Sequence, residues 1–533
     1  MTVQIHDSLA RTKHPLKTLK EGHVGMYVCG PTVYDDSHIG HLMGPVVFDT
    51  IARWLLARGY TVQFVVNITD IDDKIINRAI ETGEDWNAIS VRYTEQYFDH
   101  LRALSVDTIT DFPRCTDYVE QMVTFIQDLI DKDMAYVAAD GVYYRVPRHE
   151  GYGKLSGRKI EDMQAGARVT SDSSLEHPAD FALWKLAKPG EPTWDSPWGA
   201  GRPGWHIECS VMSSELLGSA YDVHGGGDDL KFPHHENEIA QSEAHGDDFA
   251  SLWMHHGLVQ YEGRKVAKSD PRMQDAAFRL QFQAHWLLDT YGAPAVRYFL
   301  VNTPYRRPVD FGPTSLDGAR KGLLRLYRLL GERLEVPNIA TLDEILARDL
   351  SPELAAHRTK FCEAMDDDFN TSIAVAELFT MAGEAKAQEG DAQAATLDLL
   401  RDLGRTIGLL MPGDAAQVAS AGSGEGPVEA VLDALLVVRT AARGAKDFET
   451  GDGVRDLLTG NGVQILDGAD GTTWELDGPA ADGLVGKLVD GALALRASAR
   501  ERKAFATSDG IRDGLTAAGI TILDSADGTT WQI

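Results

Sequence analysis

The stretch MYVCGPTVYDDSHIGH, residues 26–41, decides how the chain reads. The apolar run from Val24 to Val28 reads as a buried strand, and Gly30 and Pro31 end it. From Ile39 to Arg58 apolar residues recur at helical spacing, so a helix begins near Ser37–Ile39. Strand, glycine-containing loop and helix N-terminus in that order present free backbone N–H groups to an anion. His38 and His41, three residues apart on the first turn, can face the same ligand. Cys29 falls at the C-terminal end of the strand, the edge at which open α/β sheets bind ligands.

Downstream, Gln63 to Ile68 is a second Val-rich strand that closes on Asn67-Ile-Thr-Asp70, and Asp72 to Leu104 reads as one or two helices. Alternation of strand and helix gives a parallel sheet, so the expected class is α/β with a Rossmann-type domain. The alternation breaks over 117–203. That segment holds a helix (Val119–Lys132), a hairpin around Asp140-Gly141 and a Gly/Pro/Trp-rich stretch, and it reads as an insertion between two halves of the sheet. The sheet resumes at Tyr221–His224, which feeds a glycine-rich loop, Gly225–Asp229. A helix, His234–His245, and a last strand, Leu252–His256, follow.

The expected domains are therefore 1–116 (first half of the sheet), 117–203 (insertion), 204–313 (second half) and 314–411 (helix bundle). A flexible linker at 412–428 and two small α+β modules, 429–476 and 477–533, complete the chain. The modules are a duplication: 448–476 and 505–533 are identical at 18 of 29 positions with an offset of 57. Arg455 and Trp474 recur as Arg512 and Trp531.

A chain of 533 residues, 43% hydrophobic with mean hydropathy −0.22, has the composition of a soluble multidomain protein. It has no apolar run of about 18 residues that would span a membrane. Met1 to Lys20 lacks the apolar core of a secretory signal. Cys29, Cys115, Cys209 and Cys362 are too scattered for a disulfide framework, which points to a reducing cytoplasm. A net charge of −29 excludes a nonspecific nucleic-acid coat. Local basic stretches remain at Arg306–Arg307, Arg320–Arg333 and Arg496–Lys503.

A second constellation lies far from the first in sequence. His234 and Glu238 are i and i+4 on one helix and can reach one ion, and Cys209 sits on the first turn of another helix, in Gly204-Trp-His-Ile-Glu-Cys. With Cys29 they offer two thiolates, an imidazole and a carboxylate, a donor set that suits zinc. Donors from three distant segments are not a zinc-finger signature, and His235 competes with His234 by position.

His38-Ile-Gly-His41 is the HIGH tetrapeptide of class I aminoacyl-tRNA synthetases, and Cys29-Gly-Pro-Thr-Val-Tyr-Asp before it resembles cysteinyl-tRNA synthetases in particular. The resemblance runs from about residue 20 to 533. It implies that the chain activates L-cysteine with ATP and Mg2+ and transfers it to tRNA(Cys); the expected state is a monomer in the cytoplasm. It implies one Zn2+ per chain on Cys29, Cys209, His234 and Glu238. Catalytic roles fall on His38, His41, Lys265 and Lys268, the last two in Lys-Val-Ala-Lys-Ser, the counterpart of the KMSKS loop. ATP contacts fall on Gly40, Asp229, Lys268 and Ser269, and cysteine contacts on Gly30, Thr69, Trp205 and His224. A thiophilic metal answers a physical problem, because an apolar pocket separates cysteine from serine poorly.

The chain departs from the family pattern at Val266 and Ala267, in a longer connection after Ser269, and in the doubled terminal module. The second module has the denser basic approach (Arg496, Arg500, Arg502, Lys503), so it is the copy expected to contact tRNA. The competing enzyme is a cysteine ligase of mycothiol biosynthesis, which shares the zinc site but lacks the RNA-reading region. The doubled module argues against it. A tRNA-binding paralogue without catalysis would be expected to lose the histidines or lysines that this chain keeps.

Overall fold

The computed structural model describes residues 2–160, 175–261, 263–265, 271–421, 428, 430–468, 471–476, 484–518, 520–525 and 528–532. They form two compact units, the larger made of Met1–Met273, Phe282–Leu287 and Ala293–Ala415, the smaller mainly of Ala416–Ile533.

In the larger unit an N-terminal hairpin, Gln4–Asp7 and Thr12–Pro15, precedes the first strand of the main sheet, β1 (His23–Val28), which is followed by α1 (Ile39–Ala57) and β2 (Thr61–Val66). After the insertion come α2 (Trp205–Leu217), β3 (Ala220–Gly227), α3 (His234–His245) and β4 (Phe249–His256). The four strands form one parallel sheet in the order β4-β3-β1-β2. From β1 the chain first moves outward to β2 and later returns to the other side of β1, so the topological switch lies between β1 and β3. Tyr27, Val65, Ile207, Cys209, Ile239 and Trp253 belong to one buried core that joins sheet and flanking helices.

The expected glycine loop after His224 is instead strand. Gly225, Gly226 and Gly227 continue β3 and pair with Met254, His255 and His256 of β4. Crowding explains the composition: a Cβ on Gly225 would lie 2.3 Å from the Phe48 ring of α1. Glycine lets helix and sheet approach closely here, and the turn comes only at Asp228–Lys231.

Between the halves of the sheet, Ala135–Val137, Gly141–Tyr144, Phe181–Leu186 and Gly201–Pro203 form a separate antiparallel sheet. Helices Pro313–Leu330, Pro352–Asp366, Thr371–Ala385 and Gly390–Arg405 form the following helical region. Buried Arg297 staples it to α1: the guanidinium donates to Asp49 and Thr50 of α1, to the Leu104 carbonyl and to the Ile407 carbonyl. Within the stretch expected as linker, Asp414–Ser420 is helical. Asp414 holds it down by accepting from the Met411 N–H at 2.8 Å and the Tyr327 hydroxyl at 3.3 Å.

In the smaller unit each repeat is two helices and a hairpin: Ala430–Gly444, Phe448–Gly460 and Val463–Gly468/Gly471–Leu476, then Leu484–Glu501, Phe505–Ala517 and Thr521–Ser525/Gly528–Gln532. The two copies share one core, to which Leu432, Leu435, Val454 and Leu458 contribute from the first and Leu488, Val489, Ile511 and Leu515 from the second. The first helix of each copy packs on the second helix of both, which is an internal two-fold arrangement. Trp474 Nε1 donates to Asp433 at 2.9 Å and Trp531 Nε1 donates to Asp490 at 2.7 Å. Both indoles thus brace their own module and also pack against the shared core.

Candidate active site and metal centre

The end of β1 and the start of α1 are fixed first. Gly30 N–H donates to Asn67 Oδ1 at 2.8 Å, and a Cβ on Gly30 would lie 1.8 Å from the Asn67 carbonyl oxygen, so only glycine fits beside the end of β2. His38 is the N-cap of α1: its Nδ1 accepts from Gly40 N–H at 3.1 Å, and the His38 N–H donates to His41 Nδ1 at 3.3 Å. The two rings stack with centroids 3.7 Å apart. The capping box that positions both histidines is of the kind usually built from Ser/Thr and Glu.

Cys29 follows β1, and its N–H donates to the Gly225 carbonyl of β3 at 3.1 Å. The fold brings Cys209 from α2 and His234 and Glu238 from α3 to the same point, and these four donor groups lie within 4.8 Å of one another. Cys29 Sγ is 3.7 Å from Cys209 Sγ and 3.6 Å from Glu238 Oε1. A tetrahedral zinc with ordinary bond lengths holds two sulfurs about 3.8 Å apart and sulfur and oxygen about 3.6 Å apart. His234 Nε2 and Glu238 Oε1, at 2.9 Å, stand at direct hydrogen-bond distance, about half an ångström closer than a shared ion would hold them.

The surroundings fit a cation. Burial pushes the Glu238 carboxyl well above its usual range, and Glu238 Oε2 is buried with no well-formed hydrogen bond among the described residues, although His224 Nε2 stands 3.1 Å away. A divalent ion is the partner that would keep this carboxylate charged. Burial raises the Cys29 thiol too. For Cys209 burial also acts upward, but the hydrogen bond from Cys29 and the neighbouring His234 outweigh it and bring the group down to about 7. His234 is oriented through its other nitrogen, with Nδ1 2.9 Å from His206 Nδ1. Trp205 stacks on the His234 ring at 4.2 Å and is 39% exposed, so it covers the ligand face instead of filling the core. Cys209, His234 and Glu238 are buried and Cys29 is half-buried, which leaves the Cys29 side as the approach.

His224 adjoins two of the donors. Fully buried, it places Nε2 3.4 Å from Cys29 Sγ and 3.1 Å from Glu238 Oε2, and its Nδ1 is 2.7 Å from the Tyr221 hydroxyl. With Cys29, His235 and Glu238 it forms a second, overlapping donor set. Burial keeps His206, His224, His235 and His255 well below the usual imidazole pKa, in the neutral form that binds metals. A relay from His235 Nδ1 to His255 Nε2 at 2.8 Å and from His255 Nδ1 to Ser8 Oγ at 2.9 Å ties this set to the N-terminal hairpin.

Thr69 is buried and donates to Glu208 at 3.1 Å. Asp229 is exposed on the turn after β3. Lys265 ends a short strand, Arg264–Lys265, and its side chain, like Lys268, Ser269 and the altered Val266 and Ala267, lies outside the described residues. Sequence reading missed Asn67, Cys115, His206, Glu208 and His255. None carries a motif of its own, and only the acid beside Cys209 offered a hint.

Comparison with known proteins agrees with this geometry. The family of class I (C) tRNA synthetase catalytic domains matches residues 15–321, and the DALR domain family matches 360–411. A cysteine–tRNA ligase from Thioalkalivibrio sulfidiphilus is 46% identical over 89% of this chain and 99% of its own length. The chain belongs to the cysteine–tRNA ligase family. Other cysteine–tRNA ligases, from Hahella chejuensis and Geobacter sulfurreducens, are 44% and 43% identical over the same share of the chain. These relatives are covered almost end to end, and the part of this chain outside the match is close in length to one 57-residue repeat. They support the synthetase over the mycothiol ligase. At the level of fold, the chain resembles a Mycobacterium tuberculosis methionyl-tRNA synthetase in complex with methionyl-adenylate. The TM-score is 0.53 at 15% identity, over 74% of this chain and 93% of that one. A LeuRS–tRNA ternary complex from Agrobacterium radiobacter gives 0.52 at 12% identity, over 76% and 87%.

Proposed function

We propose that the chain activates L-cysteine with ATP and Mg2+ and transfers it to tRNA(Cys), and that one zinc ion held by Cys29, Cys209, His234 and Glu238 selects the amino acid. The observation that carries the reading is the convergence of these four donors, at near-tetrahedral sulfur–sulfur and sulfur–oxygen spacings, beside the switch point of the parallel sheet. A zinc ion there supplies a thiophilic partner that the substrate sulfur has and a serine hydroxyl lacks.

The chain's own residues do the rest. Gly30, Thr69, Trp205 and His224 bind cysteine, and His224 also braces Cys29 and Glu238. His38 and His41, fixed by the capping box, steady the phosphates as the cysteine carboxylate attacks the α-phosphate in line. Gly40 and Asp229 contact ATP. Lys265, Lys268 and Ser269 clamp the pyrophosphate. The helical region and terminal modules contact tRNA, and the enzyme works as a cytoplasmic monomer.

The test is ATP–pyrophosphate exchange with cysteine and with serine, before and after a chelator. Exchange specific for cysteine that is lost with the metal supports the proposal. Undiminished cysteine-over-serine selectivity in metal-free enzyme would sink it.

A further inference from the structure

Beside the metal donors, and pointing elsewhere, stands Glu208. It precedes Cys209 on α2, is 1% exposed, and forms no ion pair with Lys or Arg among the described residues. A carboxyl so placed is costly unless hydrogen bonds need it there. Two groups donate to its Oε2: the Thr69 hydroxyl at 3.1 Å and the Cys115 thiol at 3.0 Å.

The directions of the neighbouring bonds follow from valence. Gly30 N–H can only donate, and it donates to Asn67 Oδ1 at 2.8 Å, which sets the orientation of the Asn67 amide. The Asn67 Nδ2–H therefore faces Thr69 Oγ1, at 3.2 Å, and takes one lone pair of the hydroxyl. A hydroxyl has a single proton, and that of Thr69 goes to Glu208. Cys115 Sγ also stands 3.8 Å from Thr69 Oγ1, but its single proton goes to Glu208 at 3.0 Å, so toward a ligand Thr69 has a remaining lone pair to offer and acts solely as an acceptor. The part of cysteine that needs an acceptor is its ammonium group.

We infer that Glu208 is a positioning residue for cysteine: by binding the Thr69 proton it fixes Thr69 as an acceptor for the substrate ammonium. The inference rests on the placement of Thr69 in the cysteine pocket proposed above. Glu208 touches no reacting atom and acts through Thr69. Asn67 and Gly30 complete the line of bonds from α2 to the end of β1.

The test uses full-length enzyme and the variants Glu208→Ala, Glu208→Gln, Thr69→Val and Glu208→Ala/Thr69→Val, with zinc content measured in each. Glu208→Ala should raise the KM for cysteine about tenfold, the effect of one well-placed hydrogen bond, with kcat within about threefold of the parent. Glu208→Gln keeps an acceptor oxygen for Thr69 and should restore KM. The double variant should be no worse than Thr69→Val alone. Inhibition by 3-mercaptopropionate, which has the thiol and carboxylate of cysteine but no ammonium, should be unchanged in Glu208→Ala.

Four results overturn the inference: loss of zinc in Glu208→Ala, equal effects of Ala and Gln, additivity in the double variant, or parallel weakening of 3-mercaptopropionate. Thr69→Val with an unchanged KM overturns the pocket placement itself. That failure is distinct from one in which Thr69→Val raises KM and Glu208→Ala does not.

Discussion

The metal-donor cluster and the terminal tandem are both densely buried, and they are built on opposite terms. The cluster gathers two thiols, a carboxyl and an imidazole from three distant segments, with further histidines around them, and several of these groups lack full hydrogen bonding. The tandem gathers mainly aliphatic side chains from two copies of one sequence, with one buried arginine in each (Arg439 and Arg496) and Ser508 Oγ without a hydrogen bond among the described residues, and its landmark polar pairs, Trp474–Asp433 and Trp531–Asp490, are satisfied and repeated. Buried polar groups without partners cost stability, so a fold keeps them where a ligand completes them. A duplicated apolar face needs only its twin. The first region is organised for a ligand and the second for itself.

That contrast is sharpest under Cys209→Ser. The variant should fall from about one zinc per chain toward none, with cysteine-dependent pyrophosphate exchange down by at least about 100-fold, as metal analysis and exchange assays would read. The terminal tandem should melt as before. A variant that keeps both its metal and its exchange rate would show the cluster to be ordinary core.

Next in size is Leu488→Ala, which opens a void in the core that both repeats share. It should destabilise the tandem by about 2–4 kcal/mol, read as a shift in the denaturant midpoint of that unit, and leave pyrophosphate exchange unchanged. Deleting the second copy after Leu476 is a blunter cut, because it also strips Val489, Ile511 and Leu515 from the first copy's core. Reduced tRNA charging after that deletion would therefore not by itself identify the second copy as the reader. If Leu488→Ala leaves the tandem's stability unmoved, the two modules are not one cooperative unit.

The smallest expected effect concerns the ion pair that joins the copies. Arg502 of the second repeat lies 2.8 Å from Asp447 and 3.1 Å from Glu449 of the first. For Asp447 burial acts upward, but the bonds from Arg502 and Thr450 prevail and lower its carboxyl to about 2. A carboxylate depressed in the folded state stabilises fully above its unfolded pKa, near 3.8, and that stability is lost as pH falls toward about 2. Asp447→Asn should therefore cost about 1 kcal/mol at pH 6, and the gap to the parent should close on acidification across that window. A gap independent of pH would assign the loss to the Thr450 cap.

Much of this was legible in advance because it rests on local chemistry. Residues 26–41 spell strand, loop and helix by periodicity alone, His234 and Glu238 share a helix face by spacing, and the duplication is plain by identity at a fixed offset. The His38–His41 box was only half legible, since the spacing was visible but the stacking and capping were not.

What the tertiary structure alone decided concerns partners far apart in sequence. Gly225–Gly227 reads as a loop because glycine usually breaks a strand, and only the Phe48 ring pressed against Gly225 shows why the strand there must be glycine. Glu208 reads as an ordinary helix acid until Thr69 and Cys115 are found donating to it. The two modules read as beads in series, and only their shared core shows that they fold against each other. Periodicity and motif spacing report a residue's neighbours along the chain, whereas close packing and hydrogen-bond satisfaction are settled by neighbours through space.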